Sequence, residues 1–163
     1  MDRVSRLFET HHEALYRYLV RLSGDADIAA DVAQETFVRL FEQPPNAQIE
    51  RAWLFKVGTN LVFERARTAA RRQRLLDGAG ERTMADPPAD PHDLAVASDQ
   101  RRVIVAAIAT LSEKERMAVL MREEGFSHLE IADAVGTTTG SVGTLLARAL
   151  ARLARVIRED GAL

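Results

Sequence analysis

Apolar positions recur along most of the chain at the three- and four-residue spacing of amphipathic helices. The clearest case runs from Trp53 to Arg74, where a buried stripe is expected at Leu54, Val57 and Leu61. A second stripe on this predicted helix, here called the cationic stripe, consists of Lys56, Asn60, Phe63, Arg67, Arg71 and Arg74. Cations hold phosphates, aromatic rings stack on bases and an amide can contact a base edge. The stripe therefore suits a nucleic-acid strand, although a solvated cationic helix explains this stretch alone equally well.

Two helices are predicted before this one. The first spans Ser5 to Leu22, with Tyr16 and Tyr18 at its border, and the second runs from a cap at Asp25 to about Gln43. The apolar face of the second helix is expected at Ile28, Val32, Phe37, Leu40 and Phe41. Its acidic and polar face carries Asp27, Asp31, Gln34 and Glu35. That face is either solvated or a docking surface for a basic partner.

A segment rich in glycine, proline and aspartate, Asp77–Pro91, separates the two halves of the chain. Only Met84 in it is large and apolar, which predicts an extended linker. We therefore expect an all-α protein of two small helical domains, residues 1–76 and 94–163, joined by a flexible linker at 77–93.

The second half is again helical. A helix is predicted over Leu94–Thr110, and two capping boxes, Ser112 with Glu115 and Ser127 with Glu130, begin the next two. The last helix is expected to bury Val142, Leu146, Leu150, Leu153 and Ile157, and to carry Arg148, Arg152, Arg155 and Arg158 on its opposite side. The threonines at 137–139 offer its cap.

The short helix, the turn at Gly136 and the last helix have the pattern of a helix-turn-helix. In that arrangement Thr139, Ser141 and Thr144 would face the DNA major groove, and Arg148 would contact the backbone. Any packed helical hairpin has similar periodicity, so the pattern alone does not decide between DNA binding and simple packing.

Composition excludes several classes of protein. The 163 residues include no cysteine, which rules out disulfides and cysteine-ligated zinc and fits the cytoplasm. No apolar run has membrane-spanning length, so we expect no membrane insertion. The four histidines lack metal-ligand spacing and no catalytic constellation is present, so neither an enzyme nor a cofactor is expected. The net charge of −2 means that nucleic-acid binding must depend on segregated charge.

Three segments resemble bacterial sigma factors of the extracytoplasmic-function (ECF) class. The family's segment for binding core RNA polymerase is similar to D-A-D-I-A-A-D-V-A-Q-E-T-F-V-R-L-F, Asp25–Phe41. Its promoter-melting segment is similar to R-A-W-L-F-K-V-G-T-N, Arg51–Asn60. Its C-terminal helix-turn-helix resembles L-S-E-K-E-R-M-A-V-L-M-R-E-E-G-F-S-H-L-E-I-A-D-A-V-G, Leu111–Gly136, followed by G-S-V at Gly140–Val142. The segments keep the family's order and cover nearly the whole chain.

The resemblance implies a separate binding role for each segment. Docking on the clamp helices of the polymerase largest subunit would use Asp31, Gln34, Glu35 and Phe37. The loop Pro44–Glu50 would capture a flipped base of the minus-ten element. The minus-ten strand would be held by Trp53, Lys56, Asn60 and Arg67, joined by Phe63 and Arg71 of the cationic stripe. The minus-thirty-five duplex would be contacted through Thr139, Ser141, Thr144 and Arg148.

The chain departs from the family pattern in its last helix. Family members commonly carry cations near the positions of Gly143 and Leu145, and often near Leu150, where this chain has none. The duplex-binding surface therefore looks weakened. The main interpretation is a sigma factor that directs promoter recognition, strand opening and transcription initiation, controlled by an anti-sigma factor. The alternatives are a sigma-like protein that mainly occupies an anti-sigma factor, and an ordinary helix-turn-helix regulator.

Overall fold

The computed structural model describes residues 2–46, 50–77 and 99–159. The regular structure in these ranges is entirely α-helical, which confirms the all-α prediction. In chain order the helices are α1 (Arg3–Ser23), α2 (Ala26–Glu42), α3 (Glu50–Leu76), α4 (Asp99–Ala109), α5 (Glu113–Glu123), α6 (His128–Val135) and α7 (Thr139–Glu159). The predicted linker lies outside the described residues except for Asp77, and so does the predicted start of α4 at 94–98.

The ends of the N-terminal helices follow local sequence signals. Gly24 adopts a left-handed backbone with φ of 71° and donates its N–H to the carbonyl of Val20 at the end of α1. The carboxylate of Asp25 then accepts the backbone N–H groups of Asp27 and Ile28 at 2.8 and 3.1 Å, which confirms it as the cap of α2.

One predicted capping box is complete and the other is not. Ser127 and Glu130 each accept the other's backbone N–H at the start of α6, as predicted. Ser112 accepts the N–H of Glu115 at 3.2 Å, but the Glu115 carboxylate turns inward and accepts from Arg152 of α7. Because Glu115 is only 5% exposed, its charge requires a cationic partner. Arg152 therefore does not lie on the open side of α7, where it was expected.

Close approach of α1, α2 and α3 builds the N-terminal half. A Cβ atom at Gly58 would lie 3.3 Å from side-chain carbons of both Leu15 and Leu19, so the glycine lets α3 sit directly against α1. One residue further, the Thr59 hydroxyl lies 2.6 Å from the hydroxyl of Tyr18. Tyr18 is fully buried as a result, and its predicted place at the helix border was wrong.

One phenylalanine and one leucine are more exposed than the pattern predicted. Phe41 is 76% exposed and Leu150 is 56% exposed. On α7 the buried line runs through Val142, Leu146 and Ala149 instead. Repeated steps of four residues drift around a helix of 3.6 residues per turn, and the step of three to Ala149 restores the alignment.

The buried hydroxyl of Tyr18 leads to a prediction about alkaline stability. Burial raises the pKa of Tyr18, so the folded state disfavours its ionised form. This contribution to stability should be complete below about pH 10, the pKa of an unfolded tyrosine, and should be lost as the pH rises further. Tyr18→Phe should lower the free energy of unfolding at pH 7 by about 0.5–1.5 kcal/mol and flatten its fall above pH 10. Urea titrations between pH 7 and 11 measure both effects.

Tyr16→Phe is the matched control for that experiment, since Tyr16 lies on the same helix and is only partly buried. It should keep the alkaline loss of the unchanged chain. An equally steep loss in Tyr18→Phe would show that the buried hydroxyl is not its source.

Candidate nucleic-acid and polymerase interfaces

The cationic stripe lies along one side of α3, as its spacing predicts, but its members differ in exposure. Asn60, Arg67 and Arg71 are exposed, and Lys56 is about half exposed. Phe63 is only 7% exposed. The stripe therefore presents cations and an amide to solvent, while its ring is covered.

The start of α3 is held in place by Arg3, a residue that the sequence analysis did not identify. The guanidinium of Arg3 on α1 pairs with Glu50 and also donates to the carbonyl of Pro45 at 2.6 Å. These two residues lie near the two ends of the loop Pro44–Glu50, which is expected to capture a base. Trp53, one turn into α3, is partly buried against the core. Arg3 therefore ties both ends of the loop to the body of the N-terminal half.

The polar face of α2 is open, as predicted. Asp31 keeps 67% of its side chain exposed and lies 3.6 Å from Arg65 of α3, whereas Glu35 pairs with Arg39 on its own helix at 3.5 Å. Gln34 is exposed, and Phe37 is buried against Phe8 with ring centroids 5.0 Å apart.

An apolar groove adjoins this polar face. It is lined by Phe8, Gln34, Phe37, Val38, Phe41 and Glu42. Three of these residues, Phe8, Val38 and Phe41, are large and exposed. Gln34 and Phe37, which the resemblance assigns to polymerase docking, thus belong to one surface together with apolar neighbours that the sequence pattern had placed in the core or left out.

The helix-turn-helix is formed by α6, the turn at Gly136 and α7. Gly136 has a φ of 83°, which favours glycine, and the hydroxyl of Thr138 accepts the N–H of Ser141 at the start of α7. The four residues predicted to contact the duplex, Thr139, Ser141, Thr144 and Arg148, are all exposed. A Cβ atom at Gly143 would meet nothing within 4 Å, whereas Leu145 is partly buried against the core.

The two halves of the chain meet on the cationic stripe. Lys56 lies 3.8 Å from Asp133 of α6, and Arg67 lies 3.3 Å from Glu113 of α5. Between these pairs the guanidinium of Arg116 lies over the ring of Phe63, 6.0 Å from its centroid. Two of the predicted strand-binding cations therefore already have carboxylate partners.

An aromatic contact lies at the centre of the interface between the two halves, which is called the joint below. The rings of Phe55 on α3 and Phe126, just before α6, meet edge to face with centroids 5.0 Å apart, and both are fully buried. The guanidinium of Arg51 lies over Phe126 at 3.9 Å and donates to the carbonyl of Glu124. Arg21 also pairs with the Glu124 carboxylate at 3.7 Å.

Arg116 supports the joint from the other side. It donates to the carbonyl of Leu22 at the end of α1 at 3.4 Å and to that of Leu111 in its own half at 3.3 Å. Burial lowers the pKa of Arg116, partly offset by the charge of Glu113. Its contacts to backbone carbonyls compensate the desolvation of a cation that still carries its charge at neutral pH.

Two further expectations from the sequence concern metal binding and membrane insertion. Among the described residues no group of three or more histidine or acidic side chains is placed to hold a metal ion. Within the same ranges no helix is both long and apolar enough to cross a membrane.

Comparison with known proteins identifies the class. A model of sigma-70 region 2 matches residues 7–72, which include α2 and the cationic stripe except for Arg74. A model of sigma-70 region 4 matches residues 101–153, which include α6, the turn at Gly136 and most of α7. The fold and these interfaces thus define a sigma-70-type protein.

Individual relatives narrow the class to one family. The ECF RNA polymerase sigma factor SigL of Mycobacterium tuberculosis is 35% identical over 161 residues, covering 95% of this chain and 89% of the relative. The ECF RNA polymerase sigma factor SigE of Mycolicibacterium smegmatis is 32% identical over 155 residues, covering 91% and 59%. The chain belongs to the ECF RNA polymerase sigma factors.

A solved structure shares the fold. The sigma factor RpoE of Bartonella quintana, determined in complex with the anti-sigma factor NepR, superposes with a TM-score of 0.72 at 24% identity. The match covers 94% of this chain and 96% of that one.

The open space around Gly143 generates a prediction about duplex binding. Gly143→Lys adds one cation to the exposed side of α7 and replaces a glycine that costs about 1 kcal/mol in a helix. It should strengthen binding of the full chain to minus-thirty-five duplex and steepen the salt dependence by about one unit. Fluorescence anisotropy across a series of salt concentrations measures both quantities.

Gly143→Ala is the control, because it removes the glycine without adding charge and should leave the salt dependence unchanged. Equal salt slopes for the lysine and alanine variants would show that this side of α7 does not face DNA phosphates.

Proposed function

We propose that this ECF sigma factor docks on core RNA polymerase through α2, captures the minus-ten strand with α3, and contacts the minus-thirty-five duplex with α7. It acts in the cytoplasm by lending promoter specificity to the polymerase and is not itself an enzyme. An anti-sigma factor is its expected inhibitor, since the relative from Bartonella quintana was determined in complex with one. The observation that carries the proposal is the placement of exposed cations and an amide in one line on α3.

The polymerase-docking surface is proposed as the polar face of α2 together with the apolar groove. The exposed carboxylates of Asp31 and Glu35 favour a cationic partner. The exposed rings of Phe8 and Phe41 offer apolar area that a helix from the polymerase would bury. Charge and apolar area on one surface suit a basic amphipathic helix, and the clamp helices of the polymerase largest subunit are the proposed partner.

The strand-binding surface is proposed as the cationic stripe with Trp53. Arg67 and Lys56 would hold phosphates, while Asn60, which is exposed between them, is placed to contact a base edge. Arg71 extends this line of side chains by one turn. Arg3 would fix the position of the neighbouring loop relative to α1 through its contacts with Glu50 and Pro45.

The rival interpretation, a decoy that only occupies an anti-sigma factor, has one supporting observation. The exposed start of α7 carries only threonines, serine and glycines, so it lacks cations before Arg148. Run-off transcription with core polymerase and a promoter library separates the two. A specific transcript supports the sigma-factor function, and no transcript from any promoter supports the decoy.

Polymerase docking can be tested by charge reversal. Asp31→Lys with Glu35→Lys should weaken the binding of core polymerase at least tenfold, because two attractive charges become repulsive. Phe41→Ser should also weaken it, since the ring is 76% exposed and contributes little to the fold. Affinity is measured with labelled chain and purified core polymerase. Glu123→Lys with Glu159→Lys, which makes the same charge change on exposed residues of α5 and α7, should bind normally.

Circular dichroism of these variants decides what a loss of binding means. A folded double lysine variant with unchanged affinity would remove Asp31 and Glu35 from the docking surface. An unfolded one would show that these two residues have a structural role.

Strand capture can be tested within assembled holoenzyme. Lys56→Ala or Arg67→Ala should weaken binding of a single-stranded minus-ten oligonucleotide and make it less sensitive to salt, because one phosphate contact is lost. Asn60→Ala should change base preference more than salt dependence. Binding to oligonucleotides with each base varied in turn measures the two effects. Normal open-complex formation by the triple alanine variant would rule out the stripe as the strand-binding surface.

A further inference from the structure

We infer that the buried ion pair between Glu115 of α5 and Arg152 of α7 sets the angle at which α7 presents its side chains to DNA. Both are positioning residues, since they act through the helix and do not themselves contact a base. The inference rests on the proposed contact of α7 with the minus-thirty-five duplex and assigns two residues that determine its base selectivity.

The ion pair is placed where it adds little to stability. One oxygen of the Glu115 carboxylate accepts from the Arg152 guanidinium at 3.2 Å, and the Glu115 side chain is only 7% exposed. The other oxygen, Oε2, is buried and has no hydrogen-bond partner among the described residues. Burying a carboxylate is costly unless both oxygens are satisfied. An apolar pair of similar volume would therefore stabilise this place in the fold at least as well.

The carboxylate of Glu115 also leaves a favourable local position. Ser127 and Glu130 form a complete capping box at the start of α6, and Ser112 and Glu115 have the same spacing at the start of α5. The Glu115 carboxylate instead reaches Arg152, 37 residues further along the chain. Buried ionic contacts that do not improve stability can serve to specify one arrangement of helices among several.

Apolar packing alone leaves the rotation of α7 about its axis loosely determined. The buried residues of α7 are Val142, Leu146 and Ala149, and the helix is only partly buried or exposed from there to Glu159. Hydrophobic burial is non-directional, whereas a hydrogen bond requires a narrow range of angles. Arg152 follows Ala149 by three residues, so its bond to Glu115 fixes the rotation where the fully buried contacts end.

This rotation directly affects the residues proposed to contact DNA. Arg148 precedes Arg152 by four residues, so the two lie about 40° apart around the helix. A rotation of about 20° would move a side-chain end about 6 Å from the axis through about 2 Å. The long side chain of Arg148 can follow a phosphate through such a shift. The short side chains of Ser141 and Thr144, both exposed, cannot follow a base edge.

The test replaces the ion pair by an apolar pair, Glu115→Leu with Arg152→Met, in the full chain assembled with core polymerase. Run-off transcription from a promoter library randomised only in the minus-thirty-five element measures discrimination between preferred and scrambled elements. Discrimination should fall about fivefold to tenfold as base contacts are lost. The salt dependence of promoter binding should stay unchanged, because the phosphate contacts remain.

Urea titration separates positioning from a purely structural role. The apolar pair should unfold at the same or a higher urea concentration than the unchanged chain, because two buried charges are gone. A lower unfolding midpoint would overturn the inference, since the ion pair would then serve stability. Glu115→Gln, which keeps the shape and the acceptor but removes the charge, should lose part of the discrimination. Full discrimination by this folded variant would also overturn the inference.

Arg155→Met with Glu159→Leu is the matched control. Both residues are exposed near the end of α7, and the charges removed are the same as in the test variant. The control should discriminate between minus-thirty-five elements as well as the unchanged chain. An equal loss of discrimination in the control would overturn the inference, because any change of charge on α7 would then have the same effect.

The salt dependence decides whether Arg152 contacts DNA itself. If Arg152 held a phosphate, the apolar pair would lower the salt slope of promoter binding by about one unit and keep the base preference. That result would overturn the inference, since Arg152 would be a binding residue and not a positioning one.

A distance measurement reports the rotation of α7 without DNA. Because the chain has no cysteine, spin labels can be attached at Glu123→Cys on α5 and Ala147→Cys on α7, both exposed. Electron paramagnetic resonance gives the distribution of distances between the labels. The distribution should be broader with the apolar pair than in the unchanged chain or in the control variant. An equally narrow distribution would overturn the inference.

The unchanged chain separates a failure of this inference from a failure of the proposed function. If its holoenzyme shows no preference for any minus-thirty-five sequence, the proposed duplex contact of α7 fails, and the inference fails with it. If the unchanged chain discriminates and the apolar pair discriminates equally well, the duplex contact stands and the inference alone is overturned.

Discussion

The buried contact between Phe55 and Phe126 lies at the centre of the interface between the two described halves of the chain. Phe55 belongs to the core of the N-terminal half, where it meets Tyr18 edge to face at 4.9 Å, and Phe126 lies just before the helix-turn-helix. The three rings form a continuous aromatic line from α1 through α3 into the C-terminal half. Because Arg51 lies over Phe126 and donates to the carbonyl of Glu124, the joint combines dispersion, cation–π attraction and a charge-assisted hydrogen bond.

The position of α3 follows from a small residue. Gly58 allows α3 to approach α1 so closely that a methyl group would already press on Leu15 and Leu19. That approach buries the side of α3 carrying Leu54 and Phe55 and turns the cationic stripe outward, toward α5 and α6. The helix thus contributes to the core and also carries the proposed strand-binding surface, on which the second half of the chain packs.

The proposed strand-binding function and the packing of the C-terminal half involve the same residues on α3. Cations that suit a DNA strand also suit the acidic side chains of α5 and α6, and the structure pairs them. The proposed docking surface on α2 differs in this respect, since within the described residues Asp31 and Glu35 pair with Arg65 and Arg39 of the same half.

The sequence by itself determined the local features. The helix periodicity, the caps at Asp25 and Ser127 and the left-handed Gly24 and Gly136 depend on near neighbours, so they could be predicted residue by residue. The alignment of the cationic stripe followed from helix geometry in the same way.

Tertiary structure alone decided what each of these surfaces meets. The burial of Tyr18 depends on Thr59, which is 41 residues away, and the inward turn of Glu115 depends on Arg152 of another helix. The pairing of Lys56 with Asp133 requires the two halves of the chain to pack against each other. The amino-acid composition of the segment between them does not predict how they pack. Periodicity tells which side chains share a face, but the partner of that face is chosen by the free energy of packing the whole chain.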